Sequence, residues 1–220
     1  MHKSIDNLTL INDQIKTKFG PINNTNIIAV SKTFPIKEIE PLINHGHIHF
    51  GENKVQEAVD KWTNIKKTFV NIQLHMIGKL QSNKTKYVLP LFDYLHSLDN
   101  KKLAEKISIE QKKLKKKIKI FIQVNIGSEQ QKNGIAISEL ESFYKMCINS
   151  FDLDIIGLMC IPPENYDVTP FFKKMSELNK KLGLKELSMG MSSDYIDAIK
   201  FGASFVRIGS KIFGNRTNKF

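Results

Sequence analysis

Short runs of apolar and β-branched residues recur along the chain, and between them apolar positions return every three or four residues. The first pattern reads as strands buried on both faces, the second as amphipathic helices. Strand runs fall at residues 27–31, 47–50, 72–77, 94–98, 119–126, 155–159, 186–191 and 205–208. Helical patterns fall at 36–44, 54–64, 101–116, 138–149, 169–182 and 195–201, and a further helix is expected after the third strand. An extra helix over 5–18 precedes the first strand and is stopped by Gly20-Pro21. Ser138 with Glu141 fits a capping box, and Asp99-Asn100 and Ser192-Ser193-Asp194 are good helix openings.

Strands that alternate with helices make βαβ units and a parallel sheet. Eight such units closing on themselves form an α/β architecture, the (β/α)8 or TIM barrel, here with an extra N-terminal helix. A doubly wound open sheet is the competing topology. It would carry a glycine-rich turn after the first strand, where this chain reads Ser31-Lys32-Thr33-Phe34-Pro35. No linker-like segment divides the sequence, so residues 1–220 read as one domain.

Composition narrows the class. The chain has 41% hydrophobic and 25% charged residues, ordinary for a soluble protein. Its two cysteines, Cys147 and Cys160, exclude a disulfide scaffold, and no apolar run is long enough for a transmembrane helix. Without a signal-peptide pattern at the start, a cytoplasmic location is expected. The net charge of +11 raises the question of nucleic acid. Its densest part, 112–119, closes a helix and enters a strand, and no recognition motif accompanies it. A solvated face, with lysines favoured at a helix C-terminus, is the simpler reading.

In a TIM barrel the chemistry sits at the C-terminal ends of the strands. The first ends in Ser31-Lys32-Thr33, where partial desolvation of an amine would suit it to attack an aldehyde. The second ends in Gly51-Glu52-Asn53, and the fifth in Gln123-Val124-Asn125, whose amides call for polar partners. The seventh ends in Ser188-Met189-Gly190-Met191-Ser192-Ser193-Asp194, and the eighth in Arg207-Ile208-Gly209-Ser210 with room for one helical turn. Backbone N–H groups, hydroxyls and helix dipoles there would suit a phosphate. His45, His47 and His49 alternate as metal ligands can, but lack an acidic or cysteine partner. His75 and His96 read as satisfied core or rim histidines.

Taken in order, seven motifs resemble one family. They are Ala29-Val30-Ser31-Lys32-Thr33; Phe50-Gly51-Glu52-Asn53-Lys54-Val55-Gln56-Glu57; His75-Met76-Ile77-Gly78 with Leu80-Gln81-Ser82-Asn83-Lys84; Gln123-Val124-Asn125; Gly157-Leu158-Met159; Leu187-Ser188-Met189-Gly190-Met191-Ser192; and Val206-Arg207-Ile208-Gly209-Ser210 with Ile212-Phe213-Gly214. The chain thereby resembles the pyridoxal phosphate homeostasis proteins, whose fold-type III barrel is similar to the N-terminal domain of alanine racemase.

The resemblance implies a covalent aldimine between Lys32 and pyridoxal 5′-phosphate. It places Ser192, Ser193, Gly209 and Ser210 at the phosphate, Asn53 and Met191 beside the cofactor, and Arg207 at the pyridine nitrogen. It implies a non-catalytic role in vitamin B6 and amino-acid homeostasis, with apo-enzymes as possible recipients of the cofactor. The alternative is an amino-acid racemase of the same barrel. Racemases draw a second base from a β-rich domain, and with the sequence reaching only Phe220 no such domain is expected here. No metal, nucleic-acid or membrane partner is expected, and a monomer is.

Overall fold

A computed structural model describes residues 2–127, 129 and 133–214, so Phe220 lies outside the described residues. The strands are β1 (Asn26–Val30), β2 (His49–Glu52), β3 (Gln73–Met76), β4 (Tyr94–Leu98), β5 (Lys119–Gln123), β6 (Ile155–Met159), β7 (Glu186–Met191) and β8 (Phe205–Ile208). The helices are α1 (Lys3–Phe19), α2 (Ile36–Asn44), α3 (Val55–Trp62), α4 (Ile65–Thr68), α5 (Thr85–Leu91), α6 (Lys101–Leu114), α7 (Leu140–Asn149), α8 (Thr169–Lys181), α9 (Tyr195–Lys200) and α10 (Ser210–Phe213). Every strand pairs in parallel with the next and β8 returns to β1, closing the expected barrel.

Alternation along each strand divides the apolar residues into two cores. Ile27, Ala29, Leu74, Met76, Leu95, Ile120, Ile122, Val206 and Ile208 belong to the outer core, against the helices. Their neighbours Ile28, Tyr94, Phe121 and Phe205 join Met159 in a separate inner cluster. This alternation turns His75, His96 and Arg207 into the barrel, where all three are buried. It also places the strand ends and their loops around a single mouth.

Local signals hold in several places. Gly20 ends α1 at φ 85°, and the Asn100 side chain caps α6 by accepting from Leu103 N. Others shift. The second strand begins at His49 rather than 47, because Gly46 (φ 88°) closes α2: its N–H reaches Ile43 O, and that of His47 reaches Leu42 O. His45, His47 and His49 therefore do not alternate along one strand. The fifth strand stops at Gln123: Val124 N still donates to Met159 O on β6, but Gln123 O and Asn125 N pair with Ile135 of the following loop. Ser138 is no N-cap. It lies inside a 3-10 turn, Ile137–Glu139, that leads into α7 without a side-chain cap.

Several lysines of the basic segment have structural work. Lys115 takes the left-handed conformation that ends α6. Lys116 donates to Pro90 O and Phe92 O at the end of α5, and Lys117 pairs with Asp152 at 2.7 Å.

Candidate functional site

The loops at the C-terminal ends of the strands surround a cavity of about 730 Å³. All eight residues singled out from the sequence line it: Lys32, Asn53, Met191, Ser192, Ser193, Arg207, Gly209 and Ser210. Gln123 and Lys79 join them, as do Phe34, Asn133 and Ile161, which sequence reasoning passed over.

One wall is built by the ends of β7 and β8. Gly190 turns at φ 88°, and a Cβ there would lie 2.5 Å from the Ala198 Cβ, so only glycine lets α9 pack this close. Asp194 stands at the helix opening, but its carboxylate does not cap α9. It turns back to accept from Met191 N at 2.6 Å, closing a turn with Ser192 and Ser193 at its tip. Ser192 Oγ accepts from Gly209 N at 3.3 Å and so ties the two loops together. The helices that follow are short, α9 with six residues and α10 with four, so hydroxyls and backbone amides matter here more than a macrodipole.

Arg207 forms the floor. It is buried, with Nη1 donating to Ser188 Oγ at 2.7 Å and Nη2 to Cys160 O at 2.9 Å. Burial lowers its pKa from the ordinary guanidinium value. Below it a column of polar side chains crosses the apolar interior. Ser188 Oγ meets His96 Nδ1 at 2.8 Å, His96 Nε2 meets His75 Nδ1 at 2.9 Å, and His75 Nε2 meets His49 Nδ1 at 3.0 Å. His75 stacks on Tyr94 and His96 on Phe121. Burial holds His75 and His96 well below the usual imidazole pKa and lowers His49 to about 4. His75 and His96 are satisfied core histidines, as the sequence suggested, and the partly buried His49 ends their column. Burial also pushes the Cys160 and Cys147 thiols up to about 12, leaving neither as a ready nucleophile. Among the described residues, no group of three or more His, Cys, Asp or Glu could hold a metal ion.

The adjoining wall, after β1 and β2, carries Lys32 and Asn53. Lys32 sits half-buried in the turn that follows β1. Asn53 follows β2, and its Oδ1 is buried with no hydrogen-bond partner. A buried acceptor left unmade is costly, so this oxygen suits a ligand's donor or a bound water. Lys79 Nζ donates to Asn133 Oδ1 at 2.7 Å, and Gln123 Nε2 donates to Asn133 O at 3.2 Å. Asn133 arrives from a distant loop and had no local signal to mark it. Gly78 backs this wall: a Cβ there would lie 2.3 Å from Asn53 O, closer than side chains tolerate. Gly78→Ala is expected to displace Asn53, destabilise the chain by about 1–3 kcal/mol and weaken binding in the cavity. Thermal unfolding and ligand titration check both effects.

The chain matches the family model described as "Alanine racemase, N-terminal domain" over residues 6–217. It is 38% identical to the pyridoxal phosphate homeostasis protein of Haemophilus influenzae, covering 96% of this chain and 94% of that protein. The solved structure of PipY from Synechococcus elongatus, with PLP bound, superposes with a TM-score of 0.82 at 31% identity, covering 93% of this chain and all of that one. An alanine racemase from Clostridium difficile shares the fold at a TM-score of 0.71 and 15% identity, and there the chain spans 58% of the enzyme. The ordered motifs at the barrel mouth, the closed barrel and these likenesses agree: the chain belongs to the pyridoxal phosphate homeostasis protein family, built on the barrel of the alanine racemase N-terminal domain.

Proposed function

We propose that this chain binds pyridoxal 5′-phosphate non-catalytically, as a Schiff base on Lys32, and so contributes to intracellular vitamin B6 and amino-acid homeostasis. One observation carries the reading: a single cavity gathers a lysine, a buried arginine and a hydroxyl-rich pair of loops. The names of the relatives and the PLP bound to PipY support it. The Lys32 nitrogen attacks the aldehyde carbon, a C–N bond forms, and the carbonyl oxygen leaves as water. Ser192, Ser193 and Ser210, with the Gly209 backbone, receive the phosphate. Asn53 Oδ1 gains a partner, and Met191 packs at the rim.

Arg207 has only donors to offer and is held from behind by Ser188 and Cys160. A ring nitrogen facing it stays unprotonated, which weakens the cofactor as an electron sink and favours holding over turnover. In this reading the chain acts as a monomeric single-domain barrel in the cytoplasm and passes its ligand to apo-enzymes. Of its exposed large apolar side chains, Leu10 on α1 and Tyr166 before α8 sit on separate segments, while Val70 and Tyr87 line one surface cavity. Among the described residues no helix is long and apolar enough to cross a membrane.

The test is reconstitution with pyridoxal 5′-phosphate, borohydride reduction and peptide mapping. The adduct is expected on Lys32, and an adduct confined to another lysine would sink the assignment. The racemase reading is favoured by the family model alone. Among the described residues lining the cavity there is no carboxylate, histidine, tyrosine or cysteine, which leaves Lys79 as the one candidate second base. Amino-acid racemization is expected no faster than with free cofactor, in the wild type and in Lys79→Ala alike. Turnover lost on that substitution would establish the enzyme.

A further inference from the structure

The turn that carries Lys32 is gripped from behind by charged side chains of the β2–α3 unit. Lys61, on α3, donates to Ser31 O at 3.0 Å, on one side of Lys32. Glu57, one turn earlier on the same helix, accepts from Thr33 N at 2.6 Å, on the other side. Lys61 Nζ also joins Glu57 Oε1 at 3.0 Å and Glu52 Oε1 at 2.9 Å. Glu52 is fully buried, and its Oε1 accepts further from Ser31 Oγ at 2.8 Å and from Trp62 Nε1 at 2.9 Å. One ammonium thus links two carboxylates, and the three groups together hold both backbone flanks of Lys32.

The turn needs such a hold. Thr33 has φ 69°, a left-handed conformation that is an outlier for a β-branched residue. Strain of this kind persists only where the surroundings over-determine it, and it gathers at ligand clamps. A buried ion pair serving stability alone would gain little over apolar packing. Apart from the bond from Trp62 Nε1, the hydrogen bonds this cluster makes beyond its own ion pairs go to Ser31 O, Ser31 Oγ and Thr33 N.

We propose that Glu52, Glu57 and Lys61 are positioning residues that hold the strained 31–33 turn so that Lys32 enters the cavity in attacking geometry. The proposal rests on the Schiff-base reading of Lys32 and adds the residues that set how fast the bond forms. They act on the amine's placement and leave the phosphate end untouched. Covalent capture and non-covalent binding should therefore separate.

Two ligands make that separation measurable: pyridoxal 5′-phosphate, whose borohydride-trapped adduct on Lys32 is followed in time, and pyridoxine 5′-phosphate, which has the same ring and phosphate but no aldehyde. Glu57→Ala and Lys61→Met are expected to slow adduct formation roughly tenfold, since misplacing a reacting group by an ångström costs that much or more. Affinity for pyridoxine 5′-phosphate should stay within about twofold, and Lys61→Arg, which can still donate to all three acceptors, should restore most of the rate. Lys61→Met leaves buried Glu52 without its cation, so Glu57→Ala, at a partly exposed position, keeps the test open if the other variant does not fold. Wild-type capture rates in Glu57→Ala overturn the proposal. So does an equal loss of both ligands, which would mark a collapsed pocket. A wild-type chain that forms no adduct on Lys32 removes the Schiff-base reading, and the positioning proposal falls with it.

Discussion

Lys32→Ala is expected to abolish the visible absorption band that appears on mixing the wild-type chain with pyridoxal 5′-phosphate, and with it any borohydride-trapped adduct in the cavity. Binding should persist in a weaker form. The groups expected at the phosphate, Ser192, Ser193, Gly209 and Ser210, lie on the β7 and β8 loops, while Lys32 follows β1. On the proposed Schiff-base reading, removing the amine would delete one reversible covalent bond and leave the donors in place. A loss on the order of a hundredfold in affinity, about 2.7 kcal/mol, is the expected scale. Lys79→Ala is the matched control, since it removes the other lysine amine lining the cavity and should leave the band intact. A band that survives Lys32→Ala but disappears in Lys79→Ala would move the Schiff base across the cavity.

The barrel was legible because alternation and helical periodicity are local properties. Fully buried parallel strands read as unbroken apolar runs, and the helices between them need one apolar face. Lys32, Asn53 and Arg207 could be placed at the mouth by counting from the ends of those runs. What the sequence hid depends on contacts between distant segments. Asn133 reaches the cavity where the chain returns along the end of β5, with Ile135 N donating to Gln123 O and Asn125 N to Ile135 O. Asp194 looked like a helix cap, yet its carboxylate closes the Met191 turn, and nothing in the local sequence separates the two uses. The histidine column is a further case. His49, His75, His96 and Ser188 lie on four strands, and only barrel closure brings them end to end. The Glu52–Lys61 pair was likewise invisible, because nothing local says that a lysine on α3 will turn inward beneath the β1 turn.

That column sets the second large effect, a steep loss of stability in mild acid. Burial holds the pKa values of His75 and His96 well below the ordinary imidazole value and lowers those of His47 and His49 to about 4. In the unfolded chain all four take up protons near pH 6.5. Below that pH the unfolded state binds more protons than the folded one, so stability must fall as pH falls. The contribution is therefore complete above pH 6.5 and is lost from there down toward the lowered folded values. Each neutral buried histidine costs about 1.4 kcal/mol per pH unit in this window. His75 and His96 therefore both withdraw stability as pH falls below 6.5. His47 and His49 act in the same direction. Urea unfolding between pH 7.5 and 5 should show a slope near zero at the upper end that rises to at least two protons below pH 6.5. His49→Asn, whose amide can pair with His75 Nε2 as donor or acceptor, should lower that slope by about one proton. Stability that stays level from pH 7 to 5, or a slope indifferent to His49→Asn, would detach the column from the acid response.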